Sequence, residues 1–176
     1  MFDIPKEDLM DKNLAQLREL AAALDRHIRK PNHGGCCVVA VEIAKYLRDI
    51  YPTKIRVATD FDEFADHDVN DAAERVYDHA DGEEWNDNGI YFGHVVVEFK
   101  YKGRKYHMDT NGVKRATDVD PTFGWILYPG ELPFKSAKLL AQQDDGVWNH
   151  TFDRKQIPKM RMLISNFFKN ALLTQP

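Results

Sequence analysis

The chain has 176 residues, of which 43% are hydrophobic and 30% charged. This length and composition predict a single domain, residues 1–176, with a sizeable core. The formal net charge of −4 and the pI of about 6.0 exclude the strongly basic surface that would attract nucleic acid. No apolar run is long enough to cross a membrane, and the first residues lack a signal-peptide pattern. The sequence therefore predicts a cytoplasmic protein that contacts neither nucleic acid nor a membrane.

The first third of the chain carries two helical patterns and a strand. Over residues 6–30, apolar residues recur three and four positions apart, which predicts one long amphipathic helix that Pro31 ends. A more apolar helical pattern runs from residue 36 to residue 50, where Tyr51-Pro52 ends it. This composition predicts a central, buried helix. Residues 54–59 then alternate like a β-strand.

The start of the central helix is a position at which a cysteine becomes a nucleophile. Gly34-Gly35 precedes Cys36 and Cys37, and in the first turn the helix dipole and unpaired N–H groups favour a thiolate. Neighbouring cysteines in a helix cannot form an ordinary disulfide, which indicates a reducing compartment. Helical geometry favours Cys36, because Cys37 points about 100° away and suits a buried, inert thiol. The sequence alone leaves open which sulfur attacks.

Residues 58–88 form an acidic insertion, with twelve acidic side chains and one basic, Arg75. A short helix is expected over residues 69–80. The aspartates lack the register of an EF-hand, and the two cysteines lack zinc-ligand spacing, so no metal is predicted. A solvated flap is the simplest interpretation; the alternative is a segment over the active site that favours cationic substrates. The insertion carries −11 and the rest of the chain +7, which suits an acidic partner or pairing of the chain with itself.

A β-hairpin follows the insertion. Residues 89–101 and 104–111 alternate like strands on either side of a Lys102-Gly103 turn. With that two-residue turn, His94 and Asp109 are diagonal neighbours on one face of the hairpin. Diagonal neighbours lie about 7 Å apart at the backbone, within reach of a hydrogen bond between an imidazole and a carboxylate. Asp109 can then orient His94 as a base, whereas a one-residue slip would separate them.

The C-terminal third predicts further elements but little chemistry. Residues 118–133 mix turn residues with aromatic ones and suggest a strand or loop beside the site. Within it, Trp125 is either a wall for substrate or a core aromatic. A short helix is expected over residues 137–143, a short strand over 148–152, and a closing amphipathic helix over 157–173.

Together these features resemble the papain-like cysteine peptidase superfamily, in its transglutaminase-like and NlpC-type order of Cys, His and Asp. The resemblance covers about residues 34–112: Gly-Gly-Cys-x-x-x-Ala opening a helix, a His beginning a Val-rich strand, and an Asp fifteen residues later before a Gly. It implies an α+β, papain-like fold. In that fold the catalytic Cys begins a central helix packed on an antiparallel sheet, with N- and C-terminal helices flanking it.

The resemblance also implies a chemistry. Cys36 would be the nucleophile, His94 the general base and Asp109 the orienting carboxylate of a catalytic triad. The enzyme would be a cysteine hydrolase or acyltransferase, acting on an amide of a protein or peptide substrate through a thioester. Peptidases, amidases and transglutaminases of this superfamily work in this way. No organic cofactor is expected, because the sequence contains no nucleotide or phosphate motif.

The resemblance leaves the oxyanion site unassigned. The papain-type glutamine six residues before the nucleophile is missing, since Lys30 stands there. The backbone N–H of Cys36 with the side chain of Asn32, or alternatively Gln16 from the first helix, would replace it.

Other interpretations of the same residues stay open. His107 is a rival base on the same predicted face, opposite Glu98, but it is poorly placed to be oriented by Asp109 on its own strand. His33, near the nucleophile, is either a loop residue or a group that assists the leaving group. The second class of function is a non-enzymatic effector or inhibitor that uses a papain-like scaffold to bind a protein partner.

Overall fold

The computed structural model describes residues 6–32, 35–59, 94–120, 124–127, 130–142, 152–171 and 173. These residues form an α+β fold in which helices pack on a five-stranded antiparallel sheet. The helices are α1 (Lys6–Met10), α2 (Lys12–His27), α3 (Cys36–Leu47), α4 (Phe134–Gln142) and α5 (Ile157–Asn170), with a 3₁₀ turn at Arg154–Gln156. The strands are β1 (Thr53–Thr59), β2 (His94–Tyr101), β3 (Arg104–Asp109), β4 (Gly112–Arg115) and β5 (Ile126–Leu127).

The strand order is β4-β3-β2-β1-β5, and the β2–β3 hairpin has the predicted register. Tyr101 pairs with Arg104 across the Lys102-Gly103 turn. Both turn residues have positive φ, at 49° and 75°, as a two-residue turn of type I′ requires. The predicted hairpin is therefore confirmed.

The prediction of a central, buried helix is also confirmed, although α3 ends at Leu47, three residues before its predicted end. Nearly every residue of α3 is buried, and the helix packs against β1, β2, α4 and α5. On β2, Val95, Val97 and Phe99 belong to the main core, whereas Val96 belongs to a smaller apolar cluster with Ala58. Because strand residues alternate, His94 shares the face of Val96.

The single long helix predicted for residues 6–30 is wrong, because Asp11 divides it. Asp11 ends α1 and caps α2, where its Oδ1 accepts hydrogen bonds from the backbone N–H of Asn13 at 3.0 Å and of Leu14 at 3.1 Å. An aspartate satisfies the free N–H groups of a helix start better than it continues a helix.

A second hairpin was not expected. After β3 the chain turns at Thr110-Asn111, and β4 pairs back so that Asp109 faces Gly112. The predicted strand over 104–111 therefore ends two residues early. Helix α4 begins three residues before its predicted start, and α5 ends three residues before its predicted end.

Several predictions lie outside the described residues. These are the helix over 69–80, His33, nearly all of the acidic insertion and most of the strand over 148–152. Among the residues that the structure describes, no helix is both long and apolar enough to cross a membrane.

The cap of α2 gives a stability prediction. Asp11→Ala should lower the free energy of unfolding by about 1 kcal/mol, because two N–H groups of α2 lose their acceptor. Urea denaturation measures the change, with the exposed Asp49→Ala as control. Asp11 also accepts from Lys102 at 2.7 Å, so Lys102→Met is the second control. An equal loss in Lys102→Met would assign the effect to the ion pair instead of the cap.

Candidate active site

Cys36 begins α3 immediately after Gly35, a position that has no room for a side chain. A β-carbon on Gly35 would lie 2.6 Å from Cδ2 of Phe152 and 2.7 Å from the backbone oxygen of Pro31. Real β-carbons do not approach other atoms so closely, so the site requires glycine for space. This contact fixes the direction from which the chain enters α3, and with it the place of Cys36.

The two cysteines lie in different surroundings. Cys37 is buried, its Sγ donates to the backbone oxygen of Ala137 at 3.4 Å, and burial raises the pKa of its thiol. Cys36 is only partly buried. The expectation that Cys37 is a buried thiol is confirmed, and Cys36 is the cysteine that the structure brings to His94.

His94 and Asp109 form the hydrogen bond that the hairpin register predicts. Nε2 of His94 lies 3.0 Å from Oδ2 of Asp109, and both side chains are at most 4% exposed. The other carboxylate oxygen of Asp109 accepts from the backbone N–H of Asn111 at 2.7 Å. The turn after β3 therefore fixes the carboxylate, and the carboxylate fixes the imidazole.

The contacts of His94 favour its charged form. Burial by itself would lower the pKa of His94. The contacts of the ring nevertheless raise this pKa from 6.5 to about 10. The hydrogen bond to Asp109 contributes most, followed by the hydrogen bond and charge of Cys36 and then by the charge of Asp120. These contacts therefore favour an imidazolium between a sulfur and carboxylates at neutral pH.

Asp120 is a site residue that the sequence did not reveal. Its side chain is 0% exposed, and its Oδ2 lies 3.9 Å from Nε2 of His94. Its backbone N–H donates to the oxygen of Trp125 at 2.6 Å, and its own backbone oxygen accepts from Gly124. In the sequence it stands in Asp118-Val119-Asp120-Pro121, which looks like an ordinary turn, and only the tertiary fold brings it to His94.

Trp125 is half-buried and packs against a small apolar cluster of Ala58, Val96 and Leu127. Its backbone oxygen holds the N–H of Asp120. These contacts match the core-aromatic interpretation of Trp125, and its role as a wall for substrate stays a prediction.

The two oxyanion candidates are placed differently. Asn32 is half-buried four residues before Cys36, and its buried Oδ1 has no hydrogen-bond partner among the described residues. Gln16 lies in the middle of α2, about 16 Å of helical rise before the helix ends at His27. No described contact joins Gln16 to Cys36 or His94. Asn32 is therefore the better candidate for the oxyanion site, because it lies only four residues before Cys36.

The rival base His107 belongs to a separate cluster. As predicted, it lies opposite Glu98, and its Nε2 is 3.2 Å from Oε2 of Glu98. The hydrogen bond from His107 lowers the pKa of Glu98 to about 2, together with the charge of Arg56. The guanidinium of Arg56 lies 2.8 Å from Oε2 of Glu98. His107 thus has its own carboxylate, and no described contact links it to Cys36.

No metal-binding group is apparent in the described part of the chain. There, no set of three or more His, Cys, Asp and Glu side chains is arranged to hold a metal ion.

Comparisons with known proteins assign the chain to no family. No protein-family model, no curated protein and no solved structure matches it. Function must therefore be inferred from the geometry of the site itself.

The pKa of His94 gives a first prediction for the site. By NMR, its ring should stay protonated at neutral pH and titrate near pH 10. Because this pKa lies above the ordinary 6.5, the charge stabilises the fold fully below about pH 6.5, and that stabilisation is lost as pH rises through about 10. Asp109→Asn should lower the pKa most, and Asp120→Asn should lower it less.

Glu98→Gln is the matched control, since Glu98 lies on the same strand as His94 but pairs with His107 and Arg56. It should leave the titration of His94 unchanged. Titration of wild-type His94 near pH 6.5 would contradict the charged pair.

The lack of space for a side chain at Gly35 gives a second prediction for the site. Gly35→Ala should destabilise the fold by about 1–3 kcal/mol through overpacking and should displace Cys36. Thermal unfolding measures the first effect, and the rate of Cys36 alkylation the second.

Phe152→Ala added to Gly35→Ala should restore only part of the stability lost to the Gly35 substitution, because the backbone oxygen of Pro31 stays in place. Full recovery would show that the side chain of Phe152 alone sets the requirement for glycine. Phe152→Ala alone supplies the baseline.

Proposed function

We propose that the protein is a cysteine-dependent enzyme of papain-like fold that transfers the acyl group of an amide through a thioester on Cys36. The observation that carries this proposal is the contact series Cys36, His94 and Asp109, in which Nε2 of His94 lies 3.0 Å from Oδ2 of Asp109. A partly exposed thiol at a helix start, an imidazole beside it and an orienting carboxylate behind are the parts of a nucleophilic triad.

The first half of the reaction forms the thioester. The Cys36 thiolate attacks the carbonyl carbon of the amide, and the oxyanion formed is stabilised by the backbone N–H of Cys36 together with the side chain of Asn32. The C–N bond then breaks. Protonated His94 gives its proton to the nitrogen, so the amine leaves neutral and the acyl group stays on sulfur.

The second half releases the acyl group. Neutral His94 takes a proton from water or from an amine, whose oxygen or nitrogen attacks the thioester carbon. The C–S bond breaks, Cys36 leaves as a thiolate, and His94 is again an imidazolium. Asp109 holds the Nε2 side of the ring throughout, so Nδ1 is the atom that transfers protons.

If water accepts the acyl group, the protein is a peptidase or amidase. If an amine accepts it, the protein is a transglutaminase-like enzyme. The expected substrate is a protein or peptide. A cytoplasmic location suits the site, because both cysteines are free and a reducing compartment keeps the nucleophile unoxidised.

One observation favours a second candidate function. The side chain of His94 is 0% exposed, although a base must meet its substrate. A scaffold that binds a protein partner without turnover, as an effector or an inhibitor, would tolerate such burial. The experiment below separates the two functions.

Alkylation by iodoacetamide, followed by peptide mapping, tests the proposed nucleophile. At about pH 6.5, Cys36 should react faster than a free cysteine, since the imidazolium beside it stabilises a thiolate. The rate should fall in His94→Ala and, by a smaller factor, in Asp109→Asn. Turnover of an amide substrate should fall by a factor of about 10² to 10⁴ in His94→Ala.

Cys37→Ala is the matched control and should leave the labelling of Cys36 unchanged, because Cys37 is enclosed in the core. Labelling of Cys36 no faster than a free thiol, or equal rates in wild type and His94→Ala, would move the partner-binding scaffold to first place.

A further inference from the structure

A cavity of about 520 Å³ lies beside the candidate site. One wall is the segment from Ile28 to Asn32, which leads into Cys36, and another is Asn111. The backbone N–H of Asn111 is bonded to Asp109. The cavity is therefore lined by Asn32, four residues before Cys36, and by Asn111, two residues after Asp109, and the reaction steps above leave most of it unused.

A second cavity of about 320 Å³ adjoins the first. The two share Asp25 and Asn111 as lining residues, and the second continues past Arg18 and along β4 to Lys114. Together they form a groove that runs from the loop before Cys36 to β4. We call this pair of cavities the basic groove.

The charges along the basic groove are mostly positive. Arg26, Arg29 and Lys30 line the first cavity, and Asp25 is the one carboxylate that lines either cavity within the described residues. The side chains of the three cations are exposed and form no ion pair within the described part of the chain. Within the described residues, their charges therefore remain open to an anionic ligand.

The loop that carries two of these cations is held in one conformation. Gln156 accepts from the backbone N–H of Arg29 at 2.6 Å and donates to its backbone oxygen at 3.2 Å. Lys159 donates to the backbone oxygen of His27 at 2.9 Å. Lys30 has φ of 53°, a left-handed conformation that such anchoring maintains. Because the side chain of Gln156 is hydrogen-bonded to the backbone of Arg29, it is not expected to bind the ligand.

The polar groups of the groove fit a peptide. The buried Oδ1 of Asn32 has no partner among the described residues, and a peptide N–H is the donor that would satisfy it. The cations beside it would pair with carboxylates on the same peptide. An extended chain could place its amide at Cys36 while its acidic side chains lie along the groove.

We propose that the basic groove binds the acyl-donor peptide through acidic side chains next to the scissile amide, so that the substrate class is an acidic peptide segment. This specificity rests on the proposed function, since it places the peptide across the Cys36 site. The recognising charges are Arg26, Arg29 and Lys30.

The test uses the full chain with Cys36→Ser, which binds without turnover, and three fluorescent peptides. These share one sequence around a central amide and carry Glu, Gln or Lys at the flanking positions. By fluorescence anisotropy at low salt, the Glu peptide should bind about tenfold tighter than the Gln peptide, and the Lys peptide should bind weakest. High salt should reduce the difference.

The double variant Arg29→Gln/Lys30→Gln, in the same Cys36→Ser chain, should bring the Glu and Gln peptides within about twofold of each other. Arg26→Gln, on α2, is an independent second variant with a smaller loss. The matched control is Lys138→Gln/Lys169→Gln, two exposed lysines that do not line the groove. Equal binding of the Glu and Gln peptides, a preference for Lys, or an unchanged preference in the groove variants would overturn the proposal.

Alkylation of Cys36 in the chain that retains this cysteine separates the two proposals. Rapid labelling without a preference for acidic peptides would reject the specificity and leave the enzyme intact. Slow labelling of Cys36 together with a clear preference for acidic peptides would reject the enzymatic function. The basic groove would then be the binding face of a scaffold.

Discussion

The buried hydrogen bond between His94 and Asp109 is the interaction around which the rest of the site is arranged. Burying a charged imidazole and a carboxylate costs free energy unless every polar atom finds a partner. Here one oxygen of Asp109 meets His94 and the other meets the backbone N–H of Asn111. The pair in turn depends on the Lys102-Gly103 turn at the far end of the hairpin, because that turn decides which residues share a face.

The thiol side of the site depends on the C-terminal segment. Phe152 packs against Gly35, while Gln156 and Lys159 hold the backbone of residues 27–29. Helix α3 is tied to the same segment, since Oε1 of Glu42 accepts from Arg161 at 2.9 Å. Cysteine and imidazole are therefore positioned by different parts of the chain: the hairpin sets His94, and the C-terminal segment sets Cys36.

The features that could be predicted from the sequence are the ones with local causes. A two-residue turn determines the hairpin register, and with it the contact of His94 with Asp109. An apolar run after two glycines predicts α3 and places Cys36 in its first turn. The same local reasoning missed the break at Asp11 in the first helix, because the helical periodicity continues through this residue.

The features that could not be predicted depend on tertiary contacts. Asp120 reaches His94 only because Val119 bridges to Ile126 at the edge of the sheet. The basic groove exists because Gln156, more than a hundred residues away in sequence, holds Arg29. Nothing in the local pattern around these residues distinguishes them from ordinary turn or surface positions.

The close contact between Gly35 and Phe152 also has a consequence for synthesis on the ribosome. A nascent chain that has emerged through β3 already contains the thiol, the imidazole and the carboxylate, yet lacks the side chain that defines the entry into α3. Packing at Gly35 becomes complete only after residue 152 has emerged and docked. The arrangement of the thiol thus depends on a segment made late in synthesis, and a shorter chain carries the residues of the site without the contact that positions Cys36.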